Sequence, residues 1–290
     1  MTDIALYEKS RTGDPAPLEQ ILKELFQDGI RLWLQDSFYA QWKDKVAFPQ
    51  QTVILEQAAP LPSEVQYVFA IGGDGTFLDA VSLVQESGIP IFGINTGRMG
   101  FLSNVKVQDF PQALEAIMSQ HFTLEKRMLM HIDHPFAHSN PWAMNDICIQ
   151  RKDSTGMITI QVQVNGEHLN TYWSDGLIIS TPTGSTAYSL SCGGPILTPS
   201  AEAFVLTPIA SHSLSVCPLV LPADSQIEIS VRSRASQYTL NVDSHSYTID
   251  AGEKLHICKE KFQVNTIRLQ EQSFYKTLRD KLLWGIDIRN

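Results

Sequence analysis

Tyr67-Val68-Phe69-Ala70-Ile71-Gly72-Gly73-Asp74-Gly75-Thr76-Phe77-Leu78-Asp79-Ala80-Val81-Ser82-Leu83-Val84 is the stretch whose reading decides the fold. The apolar run 67–71 reads as a buried strand, and 77–84 has the spacing of an amphipathic helix. Strand, glycine loop, helix is the order in which a backbone wraps around phosphate. Glycine lets main-chain N–H groups approach an anion with no Cβ in the way. Asp74 is the anomaly. A carboxylate among phosphate-binding amides repels phosphate, so binding alone does not account for it. It can orient and deprotonate a hydroxyl beside a phosphoryl group, hold a metal, or cap the helix.

Working outward, residues 4–7, 31–34, 52–55 and 90–95 read as further strands. Leu18, Ile21, Leu22, Leu25 and Phe26 follow a proline-flanked opening at helical spacing, and Phe110, Leu114 and Ile117 mark another helix. This alternation predicts a doubly wound, mostly parallel α/β sheet. Ligands in such sheets bind beyond the carboxyl ends of the strands, where the 72–76 loop and Asn95-Thr96-Gly97-Arg98-Met99-Gly100 both fall. Farther along, residues 157–164 and 227–231 alternate with a period of two, and Asn165-Gly166 is a hairpin turn. The second half is therefore β-rich, antiparallel and sandwich-like, with one short helix near 184–190. A helical tail over 274–284 is expected to pack back on the first domain. The boundaries expected are 1–105 joined by 274–290 for the α/β domain, and 106–273 for the β-rich one.

The 290 residues carry 43% hydrophobic and 18% charged side chains and a net charge of −9. That is the composition of an ordinary globular protein, and the acidic balance with no Lys/Arg run argues against nucleic acid as a partner. No run approaches the ~18 apolar residues of a membrane span. The four cysteines are scattered with no C-x-x-C pair, which suits reduced thiols in a cytoplasm. No Walker A motif and no G-x-G-x-x-G after a strand is present.

Two more constellations carry chemistry. Ser174-Asp175-Gly176 opens an apolar strand that ends in Ser180-Thr181-Pro182-Thr183-Gly184-Ser185-Thr186-Ala187-Tyr188-Ser189-Leu190-Ser191. Small side chains, free amides and hydroxyls suit a polar ligand edge, and Tyr188 can stack on a base. Asn145-Asp146, between apolar flanks, either holds vicinal hydroxyls or forms a strand-edge turn. His131, His134 and His138 match no zinc spacing, and no metal ligand is assigned.

Together these motifs, with Gly193-Gly194-Pro195-Ile196-Leu197-Thr198-Pro199, resemble the NAD kinase family from about residue 67 to the C-terminal helix. GGDGT alone also fits diacylglycerol and sphingosine kinases; the 175–191 segment points to NAD kinase. The resemblance implies phosphorylation of the 2′-hydroxyl of the adenosine ribose of NAD by ATP, with a divalent cation, magnesium above all. It also implies a cleft between the two domains and a homodimer or homotetramer. Asp74 would be the catalytic base, and Gly72, Gly73, Gly75 and Thr76 would cradle the ATP phosphates. NAD would contact Asp74, the Gly75 backbone, Asn145, Asp146, Asp175, Thr186, Ala187, Tyr188, Ser189, Leu190, Ser191 and His245. Four positions depart from the family pattern, one of them Met99, which replaces the usual Leu of the second motif with little change of volume. Asp146 stands where many relatives have Glu, Asp79 where a basic residue is common, and Trp173 where some have Arg or Lys. The rival readings are a lipid or sphingoid kinase and a non-catalytic dinucleotide-binding module.

Overall fold

The computed structural model describes residues 1–9, 14–27, 29–56, 59–97, 100–133, 141–152 and 156–283. The chain divides into two compact units, Met1–Lys126 with Val264–Asn290, and Arg127–Gln263. His134 and His138, like Arg98 and Met99, lie outside the described residues.

The first unit holds β1 (Thr2–Tyr7), α1 (Ala16–Leu25), β2 (Ile30–Gln35), α2 (Asp36–Trp42), β3 (Thr52–Leu55), β4 (Tyr67–Ile71), α3 (Asp74–Val84), β5 (Ile91–Asn95), β6 (Val105–Lys106) and α4 (Phe110–Met118). The strands run in the order β3-β2-β1-β4-β5, every neighbour parallel. This is the doubly wound arrangement expected from the alternation of strand and helix. β1 and β4 sit at its centre with their side chains buried on both faces, which is why they read as continuous apolar runs. Helix α1 buries Leu18, Ile21, Leu22 and Leu25, one stripe at helical spacing. Phe69 meets Phe92 and Phe110 edge to face at 5.5 and 6.0 Å, fixing α4 on the sheet. That packing, with Phe122 against Tyr67 at 6.1 Å, carries the first unit beyond residue 105 to Lys126. Helix α2 has no counterpart in the sequence reading. Its seven residues bury only Phe38 and Trp42, too few anchors to establish a period.

β7 (Phe122–Asp133) leads into the second unit, which adds β8 (Trp142–Ala143), β9 (Asp146–Arg151), β10 (Ile158–Val164), β11 (Glu167–Ser174), β12 (Gly176–Ser180), α5 (Tyr188–Ser191), β13 (Ala203–Ile209), β14 (Leu219–Pro222), β15 (Ile227–Arg232), β16 (Gln237–Val242), β17 (His245–Asp250) and β18 (Lys254–Leu269). One sheet runs β14-β13-β12-β9-β16-β17, antiparallel throughout. The other contains β11-β10-β15-β18, also antiparallel, with β7 pairing β18 and β8. Their inner faces share one core, Ile158, Ile160 and Val162 from one side and Ile147, Ile149, Leu177 and Ile179 from the other. This is a sandwich of the expected kind. Asn165 and Gly166, at φ 52 and 81, form its two-residue hairpin between β10 and β11.

After β18 comes α6 (Phe274–Leu282), which packs back on the first unit as expected. Ser273 caps it by accepting from the Lys276 amide at 3.1 Å, and Gln272 donates to Asn104 Oδ1 at 2.9 Å.

Candidate functional site

Asp74 is the first residue of α3, and the N-cap before it, Gly73, makes no side-chain capping bond. The carboxylate does not cap its own helix. It reaches instead to the turn after β5, where Oδ2 accepts from the Phe101 amide at 2.8 Å and Oδ1 from those of Leu102 and Ser103 at 3.0 Å each. Asp74 thereby ties together two of the motifs singled out in the sequence. Gly100 is glycine because of that contact, since a Cβ there would lie 1.7 Å from Asp74 Oδ1. The side chain remains 31% exposed, and a carboxylate offers about four lone-pair positions, so a further donor can still reach it. Lys281 of α6 comes within 4.0 Å of Oδ2.

The other four loop residues share a different surroundings. Gly72, Gly73, Gly75 and Thr76 line one cavity of about 500 Å³, together with Glu8, Lys9, Asp14, Leu18 and Thr96. Gly73 and Gly75 are exposed within it, leaving their backbone open to a ligand. Lys9 Nζ is held 2.9 Å from Asp79 Oδ2, one turn along α3. Burial raises the pKa of Glu8, whose carboxylate accepts from Trp42 Nε1 at 2.7 Å. A cation beside a glycine loop at a helix start is a site for a phosphate chain.

In the second unit a carboxylate again gathers a turn. Asp243, between β16 and β17, accepts from the amides of Met144 at 2.7 Å, Asn145 at 2.8 Å and Asp146 at 3.0 Å. Asn145 therefore sits in a built turn, and Asp146 opens β9. Asp146 is 9% exposed. Burial first, and Asp243 second, push its carboxyl up to about 7. Burial also raises Asp243, to about 6, against the pull of its three amide bonds and of His245. The amides favour the ionised form on Asp243, so of the two carboxyls Asp146 keeps its proton to the higher pH.

The hydroxyl-rich run packs on this same turn. Thr181 donates to the Met144 carbonyl and its amide to that of Asn145. Gly184 is the position of closest approach, where a Cβ would stand 2.1 Å from the Asn145 carbonyl oxygen. Of the residues expected to line the NAD pocket, Thr186, Ala187 and Leu190 are half-buried and Tyr188 and Ser191 exposed, so all five present surface. Ser189 does not. It is fully buried and its hydroxyl pairs with Thr207 at 2.8 Å, where it fastens α5 to β13. Tyr188 keeps an exposed ring, its hydroxyl accepting from Gln150 at 3.2 Å. Asp175 pairs with Arg151 at 3.2 Å and stays 29% exposed. His245 opens β17 two residues from Asp243, partly buried.

Comparison with known proteins bears on all of this. The model of the ATP-NAD kinase N-terminal domain matches residues 20–122, and that of the ATP-NAD kinase C-terminal domain matches 144–269. An NAD kinase of Flavobacterium psychrophilum is 41% identical over 293 residues, covering 99% of each chain. The chain belongs to the NAD kinase family. Its activity is the family's, phosphorylation of NAD to NADP with ATP as donor. In fold it is similar to yeast NADH kinase complexed with NADH, at a TM-score of 0.85, 24% identity and coverage of 100% of this chain and 89% of that one. It is also similar to an NAD kinase from Archaeoglobus fulgidus in complex with ATP, at a TM-score of 0.73, 23% identity and coverage of 97% and 99%.

Three groups that shape these sites of an NAD kinase escaped the sequence. Asp243 carried a weak signal, a lone acid directly after an apolar-alternating strand. Lys9 and Lys281 carried none, because each acts on residues far off in the chain. Among the described residues no three His, Cys, Asp or Glu side chains cluster as a metal site, and His131 pairs with Glu260 at 2.8 Å. All four cysteines are free.

Proposed function

We propose that Asp74 is the group that receives the proton of the ribose 2′-hydroxyl as the phosphoryl group of ATP moves to it. The observation that carries this is the engagement of its carboxylate by three consecutive amides of residues 101–103. They hold the oxygens in one orientation, and positioning dominates phosphoryl transfer, which asks little covalent chemistry of the protein. The donor's phosphates occupy the cavity beside Gly72, Gly73, Gly75 and Thr76, with Lys9 as a counter-charge. Mg²⁺ characteristically keeps several waters and binds through substrate phosphates with one or two carboxylates. With no direct protein ligand assigned, such a cation would be held through the ATP phosphates and would supply charge neutralisation of the triphosphate.

In the second unit Asn145 and Asp146 hold the ribose and base of the dinucleotide, Tyr188 stacks, and Asp175 and His245 contact its other polar groups. Thr186, Ala187, Leu190 and Ser191 line the pocket, and Ser189 supports it from below. Asp146, carrying a proton near neutrality, both donates to and accepts from a vicinal diol. NADH is the alternative acceptor, given the NADH complex of the yeast relative. The free cysteines support a reducing, cytoplasmic setting. No described helix is long and apolar enough to cross a membrane. Self-association as a dimer or tetramer is supported by edge strand β14, which exposes Leu219 and Val220.

The test is an end-point assay with NAD, ATP and Mg²⁺ coupled to an NADP-specific dehydrogenase, repeated with NADH. NADP formation by the parent and its loss in Asp74→Asn support the reading. Binding of NAD without turnover in the parent overturns it.

A further inference from the structure

We propose that Lys281, on the C-terminal helix, is a further catalytic residue, its ammonium binding the oxygens of the phosphoryl group in transit past Asp74. The proposal rests on the assignment of Asp74 as the proton acceptor. Lys281 Nζ stands 4.0 Å from Asp74 Oδ2 and 4.5 Å from the centroid of the Phe101 ring. The amide of that same Phe101 donates to Oδ2 at 2.8 Å, so amide and ammonium approach one oxygen while the Phe101 ring lies against the ammonium.

Two features separate this from an ordinary stabilising ion pair. A closed lysine–carboxylate bridge settles near 2.8 Å, and 4.0 Å is beyond hydrogen-bond length. The cation is set beside the carboxylate without being tied to it. Both side chains are also open to a ligand, at 27% and 31% exposure. The placement is nonetheless held. Gln272, at the start of α6, donates to Asn104 next to the 101–103 turn, Leu278 is buried, and Lys281 sits in the helix's last turn, where the macrodipole favours a cation.

A hydroxyl hydrogen-bonded to Oδ2 places the phosphorus it attacks ~3–3.5 Å away. The equatorial oxygens of that phosphorus then come within reach of Nζ. The hydroxyl proton passes to Asp74, the new O–P bond forms on the ribose oxygen, and the bond from phosphorus to the bridging oxygen of ADP breaks. The positive charge of Lys281 offsets the charge spread over the equatorial oxygens.

The experiment compares Lys281→Met, Lys281→Ala and Lys281→Arg with the parent in the coupled NADP assay, with melting temperature and both KM values measured for each. Lys281→Met and Lys281→Ala are expected to lose roughly 10²-fold in kcat, the scale of removing one transition-state donor, with KM for NAD changed less than about threefold. Lys281→Arg keeps part of the rate, and added ethylamine restores part of the Lys281→Ala rate. An unchanged kcat in Lys281→Met and Lys281→Ala overturns the proposal. So does a loss that tracks a lowered melting temperature and that no amine repairs. A parent that makes no NADP refutes the reading beneath it, whereas a parent and Lys281→Met of equal activity refute this proposal alone.

Discussion

Asp243 Oδ1 accepts a hydrogen bond from the Asn145 amide at 2.8 Å, across 98 residues of chain. With the Met144 and Asp146 amides it repeats in the second unit what Asp74 does with residues 101–103 in the first. Each turn is folded around one carboxylate that takes three successive N–H groups. Asp243→Asn keeps the shape but turns an amide NH₂ toward backbone N–H groups. Bonds to a charged acceptor are worth about 1.5–3 kcal/mol, so a loss of about 2 kcal/mol in unfolding free energy is expected. KM for NAD rises about tenfold, because Asn145 and Asp146 lose their register. Urea unfolding and steady-state kinetics measure the two effects.

Asp74→Asn removes the proposed proton acceptor and places the same mismatch against the 101–103 amides. General-base assistance is worth ~10²–10⁴-fold, and kcat falls by that much. Circular dichroism should show the fold retained, because the sheet beneath the loop is untouched. A variant with near-parental kcat would remove Asp74 from the chemistry.

Gly100→Ala tests the same joint from the other side. Its methyl would stand 1.7 Å from Asp74 Oδ1, so either the turn or the carboxylate must move. Overpacking of this kind costs about 1–3 kcal/mol. The expected result is a kcat loss out of proportion to the fall in melting temperature, because a small displacement of a reacting group is severe.

The raised pKa values of Asp146 and Asp243 link stability to pH. The folded protein retains protons that the unfolded chain releases near pH 3.8. Stability from this source is complete below pH 3.8 and is lost as pH climbs through about 6 and about 7. Asp146→Asn cannot take part in that loss. Its melting temperature relative to the parent should therefore be higher by a few degrees at pH 8.5 than at pH 5. Scanning calorimetry at the two pH values decides it, and an equal difference at both would place the proton elsewhere.

Lys9 and Asp79 form a pair, 2.9 Å apart, and Lys9 lines the cavity beside Gly72, Gly73, Gly75 and Thr76 proposed for the ATP phosphates. Lys9→Met is expected to raise KM for ATP about tenfold and leave KM for NAD within twofold, with little change in stability, since a half-exposed pair contributes ~0–1 kcal/mol. The exchange Lys9→Asp with Asp79→Lys should recover most of the ATP affinity. Kinetics at varied ATP read both.

Much of this was legible in the residues. The strand over 67–71, the helix after it, the period-two strands of the second half and the Asn165-Gly166 hairpin are local signals. Each depends on spacing within about ten residues. Helix α2 was too short to show a period, and the extension of the first unit to Lys126 depends on Phe110 and Phe122 meeting aromatic partners on β4. Ser189 looked like its neighbours in a hydroxyl-rich run. Only the partner Thr207, on a different strand, turns it inward.

The amino-acid order alone settled most of the elements and the loops that carry the candidate site residues, because hydrophobic period and turn chemistry act between near neighbours. Tertiary structure decided what those groups touch. It gave Asp74 the amides of 101–103 and the nearby Lys281, gave Asn145 and Asp146 the carboxylate of Asp243, and gave Asp79 the ammonium of Lys9. The reason is that charge and hydrogen bonding act over a few ångströms of space. The chain brings distant residues to that range only after its apolar faces have packed.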